Sequence, residues 1–177
     1  YLVYVIEPIF RDAKIEPHHQ QSIENSSPIV AFGSDELNEI GYFISQEAVV
    51  HFYPLIDTSP PAHSVTIPVS AQVTSSAVSL NAVGFGLANG QVLFVRPNFT
   101  RDFSSGQRKI SAGVTYPLTQ QGIVIDENLQ PLIKLAIQSD EEQTSIVALT
   151  QDKRLILNRL SAQENFITEE IEWVSQS

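Results

Sequence analysis

Asn89-Gly90 stands between two apolar runs in AVGFGLANGQVLFVRPNF, residues 82–99. An Asn-Gly pair in that setting is a strong short-range signal for a β-hairpin, because both residues tolerate the positive φ of a tight turn. A similar pattern returns in SIVALTQDKRLILNRL, residues 145–160. Leu87-Ala-Asn-Gly-Gln-Val-Leu-Phe aligns with Leu149-Thr-Gln-Asp-Lys-Arg-Leu-Ile-Leu if the second turn holds one extra residue. A weaker third copy is FISQEAVVHF, residues 43–52, so the copies lie about 43 and about 62 residues apart.

The rest of the chain after residue 28 has the same texture. Short runs rich in Val, Ile, Phe and Tyr follow one another, among them IVAFG (29–33), IGYFI (40–44), AVVHFYPL (48–55), AVSLNAVGFGLA (77–88), QVLFVR (91–96), RKISAGVTY (108–116), PLIKLAIQ (131–138) and EEIEWV (169–174). Turn formers separate them, and no stretch keeps a helical apolar period for three turns. The pattern predicts an all-β fold of short antiparallel strands with little helix. Ser161-Ala-Gln-Glu164 has the form of a helix capping box but is short, and it predicts a turn.

Val92-Leu-Phe-Val95 and Leu155-Ile-Leu157 are continuous rather than alternating. A strand covered on one face alternates, so these runs predict strands buried on both faces. The inner strands of propeller blades have this property, and a blade repeats at about 40–45 residues. Propeller-like blades are therefore expected, with a loop insertion at 97–107 absorbing the longer second interval.

The formal net charge is −10, which disfavours nucleic acid and repels free anions. There is no cysteine, which removes disulfides, thiolate metal sites and Cys nucleophiles. There is also no methionine, and a chain beginning at Tyr1 is expected to be part of a longer one. YLVYVIEPIF, residues 1–10, predicts either the end of a transmembrane helix or an apolar edge strand, and the polar residues 11–27 predict a linker.

Motifs that carry chemistry are sparse. GFG at 84–86 with Gly90 misses the dinucleotide spacing, and a hairpin follows it, so the glycines predict close strand approach. His18-His19 have only Glu16 as a nearby carboxylate, while His51 and His63 lie apart, so no metal site is expected. No nucleophile elbow or Ser-x-x-Lys motif is present, and neither catalytic residues nor a cofactor are expected. Asn98-Phe-Thr100 is a glycosylation triplet by pattern alone. One charge feature is stronger. Arg96, Arg101, Arg108 and Lys109 stand against Asp102 alone, while residues 161–177 carry Glu164, Glu169, Glu170 and Glu172 with no base. This basic segment is the expected partner-docking surface.

GLANGQVLFVR (86–96), GQRKISAGVTYPL (106–118), IVIDENLQPLIKLAI (123–137), ALTQDKRLILNRL (148–160) and AQENFITEEIEWV (162–174) together resemble the extracytoplasmic region of bacterial phosphate-type ABC transporter permeases. The form resembled is the long one, with a WD40-like propeller insert after its first transmembrane helix. The resemblance implies that residues 1–10 end that helix in the inner membrane and that residues 28–177 form a periplasmic propeller-like domain, either part of a propeller or a compact β domain that resembles one. It implies a non-catalytic accessory module in phosphate uptake that docks the phosphate-binding protein or another periplasmic protein. At about 40 residues per blade, three or four blades are expected, near the lower limit for a closed ring. Open sheet edges left that way favour pairing into a homodimer. The alternative is a free-standing propeller or sandwich that binds a small ligand or carbohydrate, including a hydrolase.

Overall fold

The computed structural model describes residues 2–4, 17–20, 22–23, 25–56, 59–80, 82–106, 108–140, 142–165 and 170–176. Among them there is no helix, and every strand pairing is antiparallel. A short ribbon joins β1 (Leu2–Tyr4) to β2 (Pro17–Gln20). Three four-stranded meanders follow in chain order. The first holds β3 (Ile29–Ser34), β4 (Ile40–Ser45), β5 (Val49–Pro54) and β6 (His63–Thr66). The second holds β7 (Val73–Ser79), β8 (Ala82–Leu87), β9 (Gln91–Asp102) and β10 (Lys109–Thr115), with β11 (Ile123–Val124) added against the start of β9. The third holds β12 (Leu132–Ser139), β13 (Gln143–Thr150), β14 (Leu155–Asn165) and β15 (Glu170–Gln176).

The repeated hairpin is the central turn of each meander. Ala48, Gly90 and Lys153 each donate their N–H to the carbonyl three residues back, on Ser45, Leu87 and Thr150, at 3.1, 3.3 and 3.0 Å. All three have positive φ, at 59°, 75° and 68°. A three-residue loop closed by a left-handed residue matches the twist of the strands it joins. The three turns are equal in length, so the extra residue expected in the last one is absent. The correct superposition places Leu87 on Thr150.

The sheets stack face to face with the second in the middle. Side chains alternate across a strand, so β8 and β9 send successive residues to opposite neighbours. Val83, Phe85, Leu87, Leu93 and Val95 join Ile40, Tyr42, Ile44, Val50 and Phe52 of the first sheet. Val92 and Phe94 join Leu132, Ile146, Ala148 and Leu160 of the third. This is the double burial expected of Val92–Val95. Each fully buried side chain of this size contributes about 1.5–3 kcal/mol.

The first strands of the second and third sheets run side by side. Thr74 Oγ1 donates to the Leu132 carbonyl at 2.8 Å, and Ser139 N–H donates to Ser79 Oγ at 2.9 Å. The GFG glycines permit this approach: a Cβ on Gly86 would lie 3.1 Å from Leu132 Cβ and 3.3 Å from its carbonyl oxygen.

Four expectations fail locally. Leu155 and Leu157 are 62% and 73% exposed, because nothing in the described residues covers the outer face of the third sheet. Residues 97–102 are strand rather than loop, since β9 runs on past β8 and pairs with β10 to cover the first sheet's edge. The run 77–88 is two strands, broken at Leu80 by a left-handed turn. Ser161–Glu164 continue β14, where pairing with β15 outweighs the local capping pattern. Leu2–Tyr4 are strand, and the rest of residues 1–10 lies outside the described residues. No described helix is long and apolar enough to cross a membrane.

Candidate functional site

The basic segment expected to dock a partner is divided by strand geometry. Residues 93, 95, 99 and 101 share the face of β9 that meets the first sheet. Phe99 accordingly packs near Tyr42 and Phe52, with ring centroids 6.0 Å apart in both cases. Arg101 follows on the same face and pairs with Asp35, with Glu39 Oε2 at 3.5 Å from its Nη2. Across the ribbon Arg108 grips Glu39 with both terminal nitrogens, Nη1 to Oε1 at 2.6 Å. The Asp35 and Glu39 side chains are only 1% and 7% exposed, whereas Arg101 is 21% exposed. Arg101 and Arg108 are thus clamps between two sheets of the chain.

Arg96 and Lys109 occupy the opposite face of the ribbon, and among the described residues neither makes an ion pair. Arg96 faces Thr115 and Lys109 faces Asp102 in the register, six positions apart, which is about 20 Å. The four cations therefore do not converge on one ligand. Asp102 accepts the Ser104 N–H at 2.8 Å, a bond that lowers its pKa.

Asp35 is built into a turn that the chain uses twice. Its carboxylate Oδ1 accepts the N–H groups of Glu39 and Ile40 at 2.6 and 2.9 Å, and its carbonyl accepts from Asn38, a left-handed residue. Asp126 repeats this. Its Oδ2 accepts the Gln130 N–H at 2.8 Å, and its carbonyl accepts from left-handed Leu129. Each aspartate also takes an arginine from a distant strand or turn, Arg101 for Asp35 and Arg154 for Asp126, the latter at 3.0 Å. Burial pushes the Asp126 carboxyl up. The N–H groups of Gln130 and Asn128 and the Arg154 guanidinium more than offset it, and hold the group below the usual carboxylate range. In the sequence Asp35 and Asp126 read only as turn formers, and their arginine partners were missed, although Asp-Glu recurs in SDELN (34–38) and IDENL (125–129).

Beside the Arg101 pair lies a shallow cleft of about 230 Å³, lined by Asp35, Glu36, Pro97, Asn98, Phe99 and Arg101. It holds a carboxylate pair and one arginine already neutralised, so it offers little to an anion. Ser64 is a serine beside a histidine, its Oγ 2.8 Å from His51 Nδ1. His51 stacks on Phe43 at 4.5 Å, and burial lowers its pKa. No carboxylate among the described hydrogen bonds orients that ring, so the arrangement lacks the third member of a hydrolytic triad. His63 stacks on Phe52 and bonds the Ala112 carbonyl, again at a sheet junction. No group of three or more potential metal ligands is found among the described residues. His18 and His19 lie on β2, and Glu16 falls outside the described residues. No protein-family model matches the chain, and no curated protein matches it.

Proposed function

We propose that the chain is a non-catalytic extracytoplasmic docking or sensing module, built of propeller-like blades, on a phosphate-type ABC transporter permease. The observation that carries this is the succession of three four-stranded meanders with one repeated central turn, stacked face to face. Repeated blades offer broad rigid surface rather than a reaction site, and the charged groups at the sheet junction serve cohesion. The strands and turns fall on the segments that carry the permease resemblance. In this reading the domain sits at the periplasmic side of the inner membrane and receives the phosphate-binding protein. Phosphate itself is a poor ligand for a chain of net charge −10.

Titration calorimetry of the chain against inorganic phosphate, and then against a phosphate-binding protein, tests this. Protein binding that weakens with salt, without phosphate binding, is the expected result. Tight phosphate binding with no affinity for the protein contradicts the proposal.

A further inference from the structure

β9 changes neighbours along its length. β8 pairs with it only as far as Val95, opposite Val83, while β10 pairs with it from Arg96 to Asp102. Beyond Val95 the β8 side of β9 is therefore an open edge among the described residues. Alternation along the strand decides which backbone groups face that edge. The Thr115 hydroxyl donates to the Arg96 carbonyl, so the even-numbered residues here point toward β10. Ala112, opposite Phe99 in the register, turns its carbonyl away from β9 to the His63 ring, which gives the same parity. Pro97 fits it too, since a residue with no N–H has nothing to donate to β10. The N–H and C=O groups of Phe99 and Arg101 thus face the open edge, together with the Pro97 carbonyl. Among the described residues no backbone hydrogen bond outside the ladders ends on them.

The shallow cleft beside the Arg101 pair lies along this edge. Pro97, Asn98, Phe99 and Arg101 line it from β9, and Asp35 and Glu36 line it from the first sheet's turn. Unpaired N–H and C=O groups in a row are a template for another strand. Arg101 Nε is also buried without an acceptor. Asp35 is committed to Arg101, whereas Glu36 is exposed and makes no ion pair among the described residues. The lining therefore carries an uncompensated acid, in a chain of net charge −10.

We propose that this edge takes up one extended segment of a partner protein by strand addition, with a basic side chain of the segment directed to Glu36. The backbone of the segment pairs with Phe99 and Arg101, and one of its carbonyls supplies the acceptor that Arg101 Nε lacks. Pro97 ends the ladder because it offers no donor, and from there to Arg101 the strand rises about 13 Å, so the contact is short. The turn that holds Asp35 and Glu36 walls the cleft. A lone strand fits there, whereas the same edge of a second copy brings its own wall with it. The inference rests on the docking part of the preceding section, which it deepens by naming the form and charge of what docks, and it uses nothing of the transporter part.

Amide-resolved nuclear magnetic resonance of the chain tests it. The probe is the blocked pentapeptide acetyl-Thr-Val-Lys-Val-Thr-amide, with Gln or Glu in place of its Lys as controls. In the free chain the backbone amides of Phe99 and Arg101 exchange their hydrogens fast, and those of Asn98 and Thr100, paired with β10, exchange slowly. The Lys peptide shifts and protects the first two and binds more tightly than the Gln peptide. Glu36→Gln, a change at an exposed turn position, weakens the Lys peptide by up to about fivefold and leaves the Gln peptide unaffected. No shift at Phe99 or Arg101 with any of the peptides overturns the proposal, as does slow exchange of these amides in the free chain. Protection that grows with chain concentration alone gives the edge to a second copy and overturns it too. Equal or tighter binding of the Glu peptide overturns the charge assignment, and binding that survives N-methylation of the peptide's alternate amides overturns strand addition. The docking test with the phosphate-binding protein is read separately. Protein binding that leaves the Phe99 and Arg101 amides untouched keeps that reading and overturns this one, and peptide protection without protein binding does the reverse.

Discussion

Arg108 holds Glu39 through two hydrogen bonds that span 69 residues of chain and tie the second sheet to the first. Arg101 adds Asp35 to the same junction. Removing one partner of such a pair leaves a carboxylate buried without its cation, and that costs more than the intact pair contributes. Arg101→Ala is expected to lose about 2 kcal/mol, below the 3–5 kcal/mol of a fully buried pair because the guanidinium is one-fifth exposed. Arg108→Ala, more exposed, is expected to lose about 1 kcal/mol. Urea denaturation of both variants checks the order and the size.

The repeated turns make opposite predictions at equivalent positions. Lys153 holds φ at 68° with a side chain, and Lys153→Gly is expected to raise stability by about 0.5–1 kcal/mol. Gly90→Ala is expected to lower it by about 1–3 kcal/mol. The new methyl would stand 2.9 Å from Leu129 Cα and 3.0 Å from the Asp126 carbonyl. Thermal melts of the two variants measure both.

Acid is expected to destabilise the chain in two windows. Burial lowers the His51 pKa from the ordinary 6.5, so the unfolded chain takes up this proton first. Its contribution is complete above pH 6.5 and is lost as pH falls toward the folded value. The Asp126 and Asp140 carboxyls are held below 3.8. For Asp126 hydrogen bonds and Arg154 outweigh burial; for Asp140 the N–H groups of Gln143 and Glu142 act. Their contributions are complete above pH 3.8 and vanish as pH falls through those depressed values. Urea midpoints at pH 7, 5 and 3 follow both steps, and His51→Gln removes the upper one alone.

Burial separates two leucines from the second strands of two copies of the repeated hairpin. Leu93→Ala is expected to cost about 2–5 kcal/mol, because Leu93 is fully buried between two sheets. Leu157→Ala is expected to change stability by less than about 0.5 kcal/mol. Urea denaturation of the two variants compares them.

That same contrast shows what the sequence could reveal. Val92–Val95 and Leu155–Leu157 carry the same continuous apolar pattern, and the pattern rightly marks strands. Burial on the second face depends on a neighbouring sheet, which the middle meander has on both sides and the last, among the described residues, has on one. The Asn89-Gly90 turn was legible because it places a glycine at the left-handed position that closes the loop. Ala48 and Lys153 do the same work without that chemistry, and the loop closed by Lys153 was misjudged by one residue. Arg101, Arg108, Arg96 and Lys109 read as one basic segment along the chain. Strand alternation sends the first two inward to Asp35 and Glu39 and the last two outward, and the partner acids lie some 70 residues away.

The central claim is that this stack of sheets docks a protein and does not capture the anion. Calorimetry against the phosphate-binding protein at low and moderate salt, with the Arg96→Glu/Lys109→Glu double variant beside the parent chain, tests it most directly. The account predicts salt-sensitive binding that the variant weakens about tenfold, with no heat from inorganic phosphate. Phosphate binding without protein binding would contradict it.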